Sequence, residues 1–208
     1  MLTIISIIIL IFSVIIHEVS HGLMADRLGD PTARLQGRLT LNPLKHIDPV
    51  GSIIVPIITS FAGFTFGWAK PVPYNPYNLK HRRIGEFLIA LAGPGSNILI
   101  ALIFGTIIRF ALLSFDVSTP WLSSFIQVAS YIVVINIVLA IFNLVPLPPL
   151  DGSKLLFSIL PEKQLHIRHL LEAYAPVWIL IVALFLWQLI SPVVPFLFNW
   201  VTGVRLLM

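Results

Sequence analysis

Two histidines four residues apart, with a glutamate beside the first, stand in an otherwise apolar stretch: His17-Glu18-Val19-Ser20-His21. On a helix this spacing puts both imidazoles on one face, one turn apart, where they can grip a single zinc ion. The glutamate between them can deprotonate a zinc-bound water. In a soluble chain the pattern points to a metalloprotease. Here residues 1–16 before it are almost wholly apolar, so it points to a protease whose metal and water lie within a membrane. Two imidazoles leave the metal one ligand short, because a catalytic zinc takes three protein ligands and keeps a fourth position for water. The chain has no cysteine, which excludes a thiolate. Asp48, Asp151 and Glu86 are the acids near membrane segments on the expected cytoplasmic side, and ionisable groups at membrane depth are costly and generally functional. Asp151 is the best placed, just beyond the proline-broken end of a long apolar segment.

The elements that must position these groups are membrane helices. Of 208 residues, 57% are hydrophobic and 11% charged, with a mean hydropathy of +0.95; a soluble domain carries about 25% charged residues. The expected fold is an all-α polytopic membrane protein with about five to six spanning or partly spanning helices, at ~20 residues each. Short extended or hairpin segments are expected to dip in at the cytoplasmic side. One membrane-embedded domain is expected over 1–208, with a core at about 2–160 and C-terminal helices at about 161–208. No polar stretch is long enough for a soluble regulatory module. The net charge of +4 reads as membrane topology and not as nucleic-acid binding. Residues 2–16 lack the basic start and the small-residue cleavage site of a signal peptide, so they read as a retained first helix.

Along the chain, the first helix covers about 2–28 and stops at Gly29-Asp30-Pro31. Rough polar–apolar alternation over 32–42, broken at Gly37, predicts a short hairpin or strand. Residues 50–66 are apolar but interrupted by Pro56. Residues 67–83 hold Pro71, Pro73 and Pro76, a density that forbids a regular helix and predicts an extended loop against protein or water. Further spans are predicted at 84–114 and 121–144, then an amphipathic helix at 153–159 and a polar helix at 162–172. A last span follows at 176–201, or two half-spans broken at Ser191-Pro192. With the amino terminus outside, eleven of the thirteen basic residues face the cytoplasm, a strong positive-inside signal. That places the histidine motif in the cytoplasmic half of the first helix.

His17-Glu18-x-x-His21, taken with Asn143-Leu144-Val145-Pro146-Leu147-Pro148-Pro149-Leu150-Asp151-Gly152, resembles the site-2 protease family of intramembrane zinc metalloproteases. Gly93-Pro94-Gly95-Ser96-Asn97 matches a further glycine-proline-asparagine element of that family. The resemblance covers roughly residues 15–160, and the paired motifs are far more specific than either alone. It implies that His17, His21 and Asp151 bind one zinc ion per chain, that Glu18 is the catalytic acid/base, and that the chain belongs to a compact subgroup without a PDZ domain. The implied substrates are transmembrane proteins or peptides in the lipid bilayer, and the implied place is a bacterial or archaeal cell membrane, with the active site toward the cytoplasm. Oligomeric state is left open.

A developing oxyanion needs a neutral donor beside the metal. Asn97 and Asn143 are the candidates, for that role or for holding the substrate backbone. A substrate must present an unfolded backbone, and the segments 33–41 and 68–78 are candidates to pair with it as an added strand. Each residue also has a plainer reading. Asp151 suits the N-cap of a following helix, the two asparagines suit interhelical hydrogen bonds, and the basic run Lys80-His81-Arg82-Arg83 suits a topology anchor. His46 reads as an interfacial residue. The rival functions are a metal transporter, which would want polar groups along a continuous path, and an inactive metal-binding scaffold, which has no need of Glu18.

Overall fold

The computed structural model describes residues 2–61, 67–115, 119–161, 165–175, 178 and 187–204. Among these residues it is helical, with no strand. Helix α1 (Leu2–Arg27) is followed by a four-residue helix α2 (Thr32–Leu35), a π-type turn at Pro49–Ile54 and a short α3 (Val55–Phe61). The long helices are α4 (Arg82–Ser114) and α5 (Pro120–Leu144), and the chain continues through α6 (Asp151–Ile159), α7 (Leu165–Ala173), α8 (Trp187–Ile190) and α9 (Val193–Thr202).

Three of these, α1, α4 and α5, are long and apolar enough to cross a membrane. At 33 residues and about 1.5 Å per residue, α4 exceeds a hydrocarbon core of about 30 Å, so it must tilt or protrude. The long helices stay apolar on their outward faces as well. Ile4, Ile7, Ile8 and Leu10 of α1 and Phe110 and Leu113 of α4 are exposed, as lipid-facing side chains are. Inside, small and branched residues let helices approach: Ala101 and Ile108 of α4 meet Ala129, Val133 and Ile137 of α5, closed off by Ile190, Val194 and Phe198 of α8 and α9. Helix α4 is the hub, packed against α1, α5, α6 and α9.

One segment differs from its sequence reading. Residues 32–42 were expected to be extended, yet Thr32–Leu35 is helical and ends at Gly37, whose φ is +63°. Alternation over so few residues does not separate the two periods. The carboxylate of Asp30 accepts from the Thr32 N–H and Ala33 is fully buried, and both favour the turn. His46 is buried, with Nε2 on the Thr40 carbonyl at 2.8 Å. The proline-rich stretch from Gly67 to Tyr74 does lack helix, forming a strap across α1. Part of the expected span at 176–201 lies outside the described residues; its described end breaks at Ser191-Pro192, between α8 and α9. Trp121 and Trp200 are exposed, as side chains that fit the membrane–water interface are.

Candidate metal centre

The face of α1 that carries Ser13, His17 and His21 repeats every four residues and is buried along its length. His17 is 5% exposed and His21 7%. Their rings stand nearly perpendicular, 88° apart, which turns both Nε2 atoms toward one point 3.1 Å apart. The turn from Val145 to Leu150 brings Asp151 to the same point at the start of α6. Its Oδ2 lies 3.0 Å from His17 Nε2 and 2.9 Å from His21 Nε2. Two glycines make this approach possible. A Cβ on Gly93 would lie 2.6 Å from His17 Cε1 and closer still to His21. A Cβ on Gly152 would run into the carbonyl oxygens of Leu144 and Val145.

The outer atoms of the site set its chemistry. His21 Nδ1 faces the backbone carbonyl of Ile89 at 2.6 Å, an acceptor only, so Nδ1 carries the proton and Nε2 offers a lone pair. Pro94 sits one turn on in α4; it has no N–H for the Ala90 carbonyl and its ring crowds that turn. Such loosened turns in membrane helices bond to neighbouring side chains, as the Ile89 carbonyl does. His17 Nδ1 faces the side-chain oxygen of Asn97 at 2.6 Å. On the other side of the carboxylate, Lys154 Nζ reaches Asp151 Oδ1 at 3.1 Å, leaving Oδ2 for the centre.

This donor set fits a divalent cation. With both Nδ1 atoms donating outward, bonding both Nε2 atoms to Asp151 would require two imidazolium rings in van der Waals contact. A cation among them removes that conflict. Donor atoms about 2.0–2.1 Å from a tetrahedral zinc stand about 3.3 Å apart, close to the 2.9–3.1 Å found here. Imidazole and carboxylate donors with outer hydrogen-bond partners are the pattern of zinc sites.

The structure brings His17, His21 and Asp151 together, the one such group among the described residues. Glu18 stands beside them at the strap, its Oε2 accepting from the Val72 N–H at 2.9 Å. Asn97 lies behind His17 and is fully buried. Asn143, at the end of α5, donates to the Leu139 carbonyl of its own helix at 2.9 Å. Asp48 lies elsewhere and caps the π-type turn, and Glu86 pairs with Arg82. Sequence reasoning passed over Asn136, Ser13 and Lys154. The signals were there: an asparagine inside an apolar helix, a serine four residues before His17, and a lysine one turn after Asp151.

The strap is held at several points. Arg38 donates to the Lys70 and Pro71 carbonyls at 2.8 and 3.2 Å, and the Lys70 N–H donates to the His46 carbonyl at 2.9 Å. Asp30 is 0% exposed. It accepts from the Asn75 N–H at 2.6 Å and from Asn78 Nδ2 at 2.7 Å, and Thr32 donates to it as well. Burial works against its charge, but these hydrogen bonds outweigh it and hold the carboxyl below the ordinary aspartate range.

The profile of peptidase family M50 matches residues 111–188, which include Asn136, Asn143 and Asp151. A Bacillus subtilis protein named "Putative zinc metalloprotease YwhC" is 40% identical over 156 residues, covering 74% of this chain and 68% of that protein. Proteins named "Putative zinc metalloprotease Rip2" are 28% identical in Mycolicibacterium smegmatis and 29% in Mycobacterium tuberculosis, and the matches span 52% and 56% of their lengths. No solved structure matches the chain. With a relative of this identity and coverage, and with the histidine and aspartate motifs meeting at one buried point, the chain belongs to peptidase family M50, the site-2 protease family.

Proposed function

We propose that this membrane protein is a zinc endopeptidase that hydrolyses peptide bonds of transmembrane proteins or peptides, near or within the bilayer. His17, His21 and Asp151 hold one zinc ion, and Glu18 moves the proton. The observation that carries this reading is the convergence of three buried donor atoms, each within 3.1 Å of the others, beside a carboxylate on the same helix. Zinc, when bound, lowers the pKa of water toward about 7 and polarises a carbonyl. Glu18 takes the proton from the attacking water and returns it to the departing amine, a positioned acid–base transfer. The Val72 N–H holds one of its oxygens and leaves the other for that exchange. Asn97 is committed to His17, so the neutral donor to the substrate carbonyl or backbone is Asn143, at the α5 end of the turn that carries Asp151. The proline strap at 68–74 is the extended segment nearest Glu18 and lines the approach of an unfolded substrate. The short helix at Thr32–Leu35 takes the segment 33–41 out of that role. Basic residues concentrate at the strap end of α1 and α4, so the site faces the cytoplasm.

The test is purified protein in detergent, assayed for zinc and for cleavage of a model transmembrane substrate, with and without a chelator. Glu18→Gln is expected to retain one zinc and lose cleavage. Normal cleavage by that variant would sink the mechanism, and a wild-type protein without zinc would sink the site.

A further inference from the structure

Behind His17 a line of buried polar groups crosses three membrane helices. His17 Nδ1 meets Asn97 Oδ1 on α4 at 2.6 Å, and Asn97 Nδ2 meets Asn136 Oδ1 on α5 at 2.8 Å. Asn136 Nδ2 then meets Ser13 Oγ, back on α1, at 2.9 Å. It also meets the Ile132 carbonyl, one turn earlier in α5, at 2.9 Å. Asn97 and Asn136 are both 0% exposed and Ser13 is 4% exposed. Ser13 and His17 are one turn apart on α1, so the line closes into a ring through α1, α4 and α5.

An amide side chain can be turned end for end, and a hydroxyl can donate or accept. A ring made only of such groups would have no direction. The Ile132 carbonyl gives it one, because a carbonyl can only accept. The end of Asn136 that faces it must be the NH₂. The oxygen of Asn136 therefore faces Asn97, which must present its own NH₂. The oxygen of Asn97 therefore faces His17, whose Nδ1 must carry the proton. His17 Nε2 is left with its lone pair pointing at Asp151 and His21. His21 needs no such relay, since a backbone carbonyl faces its Nδ1 directly.

We propose that Asn136 is a positioning residue for the metal site: acting through Asn97, it holds His17 in the tautomer that ligates through Nε2. This rests on the zinc reading above. The alternative is a polar contact that only packs helices, which in membranes contributes modestly to stability. The two differ in what they do to metal affinity. Outer partners of metal-bound histidines are worth about 10- to 100-fold in affinity; a packing contact leaves the affinity of folded protein unchanged.

Zinc affinity would be measured by chelator competition on full-length protein, for wild type, Asn136→Leu, Asn97→Leu and the double variant. The leucine at 136 removes the directing amide and keeps the branching at Cγ. Asn136→Leu is expected to weaken zinc binding about 10- to 100-fold and to alter the absorption spectrum of the cobalt-loaded protein. Because both residues act on one ring, the double variant is expected to bind no more weakly than Asn97→Leu alone. Ser13→Ala leaves the Ile132 carbonyl in place, so it is expected to weaken zinc binding less than Asn136→Leu does. A zinc affinity for Asn136→Leu equal to wild type, or losses for the two asparagines that simply add, would overturn the relay. Nitrogen-15 spectra of zinc-loaded wild type test the direction without any variant: His17 is expected to ligate through Nε2 with a proton on Nδ1, and ligation through Nδ1 overturns the proposal. A wild type that binds no zinc at all would instead sink the function proposed above.

Discussion

The back and the front of the metal site are built from different materials. At the back, α1, α4 and α5 present side chain to side chain: His17, Asn97, Asn136 and Ser13, all buried. At the front, side chains hold backbone: Glu18 takes the Val72 N–H, Asp30 takes the Asn75 N–H, and Arg38 takes two strap carbonyls. A side-chain relay whose direction is set by one backbone carbonyl suits groups whose tautomer and aim must not change. A strap tied by its backbone keeps its place whatever its side chains are. The contrast is between a histidine aimed by side-chain hydrogen bonds and a strap held through its backbone.

The largest effect is expected at the centre, between back and front. Asp151→Ala removes the carboxylate both imidazoles face, and the variant is expected to purify with essentially no zinc by elemental analysis and to show no cleavage. Retention of one zinc per chain would mean that another residue completes the site. Next comes Gly93→Ala, whose methyl would press between the two rings. Overpacking of this kind costs about 1–3 kcal/mol, and zinc affinity is expected to fall by tenfold or more. An unchanged affinity would show that α4 can back away from α1.

At the front, Val72→Pro deletes the N–H that holds Glu18. A hydrogen bond to a charged group is worth about 1.5–3 kcal/mol, so kcat is expected to fall about 10- to 100-fold with zinc content unchanged. Loss of zinc in this variant would erase the distinction between back and front. The smallest effect is expected from Asp30→Asn in acid. Hydrogen bonding depresses the native pKa of Asp30, so the native state binds its proton less readily than the unfolded chain does. The stability Asp30 contributes is full above the unfolded pKa of about 3.9 and is lost as pH falls through the native value. Between pH 6 and 3 the melting temperature of wild type is expected to fall more steeply than that of Asp30→Asn. Parallel curves would mean the carboxylate does not anchor the strap.

Much of the site was legible in the sequence because its signals are local. A four-residue spacing places His17 and His21 on one helix face, whatever surrounds that helix. An acid after a proline-broken apolar segment marks Asp151, since charge is expensive at membrane depth. The expectation of a helical membrane protein rested on the same economy, because backbone in lipid must bond to itself. The stretch 32–42 misled because a few alternating residues around Gly37 fit either period. The balance was tipped by the distant fold, which buries Ala33 and ties Asp30 to the strap.

Taken alone, the sequence determined the residue types able to hold a metal and the helices able to carry them. Only the tertiary structure decided which asparagine stands behind a histidine, and which way round. Asn97 and Asn136 are 39 residues apart, and Asn136 and Ser13 are 123. No spacing rule spans such distances. The direction of the relay depends on a backbone carbonyl, a group every residue has, so the identity of Ile132 carries no sign of it. Packing of α1, α4 and α5 turns four ordinary polar side chains into a directed relay, and that step belongs to three dimensions alone.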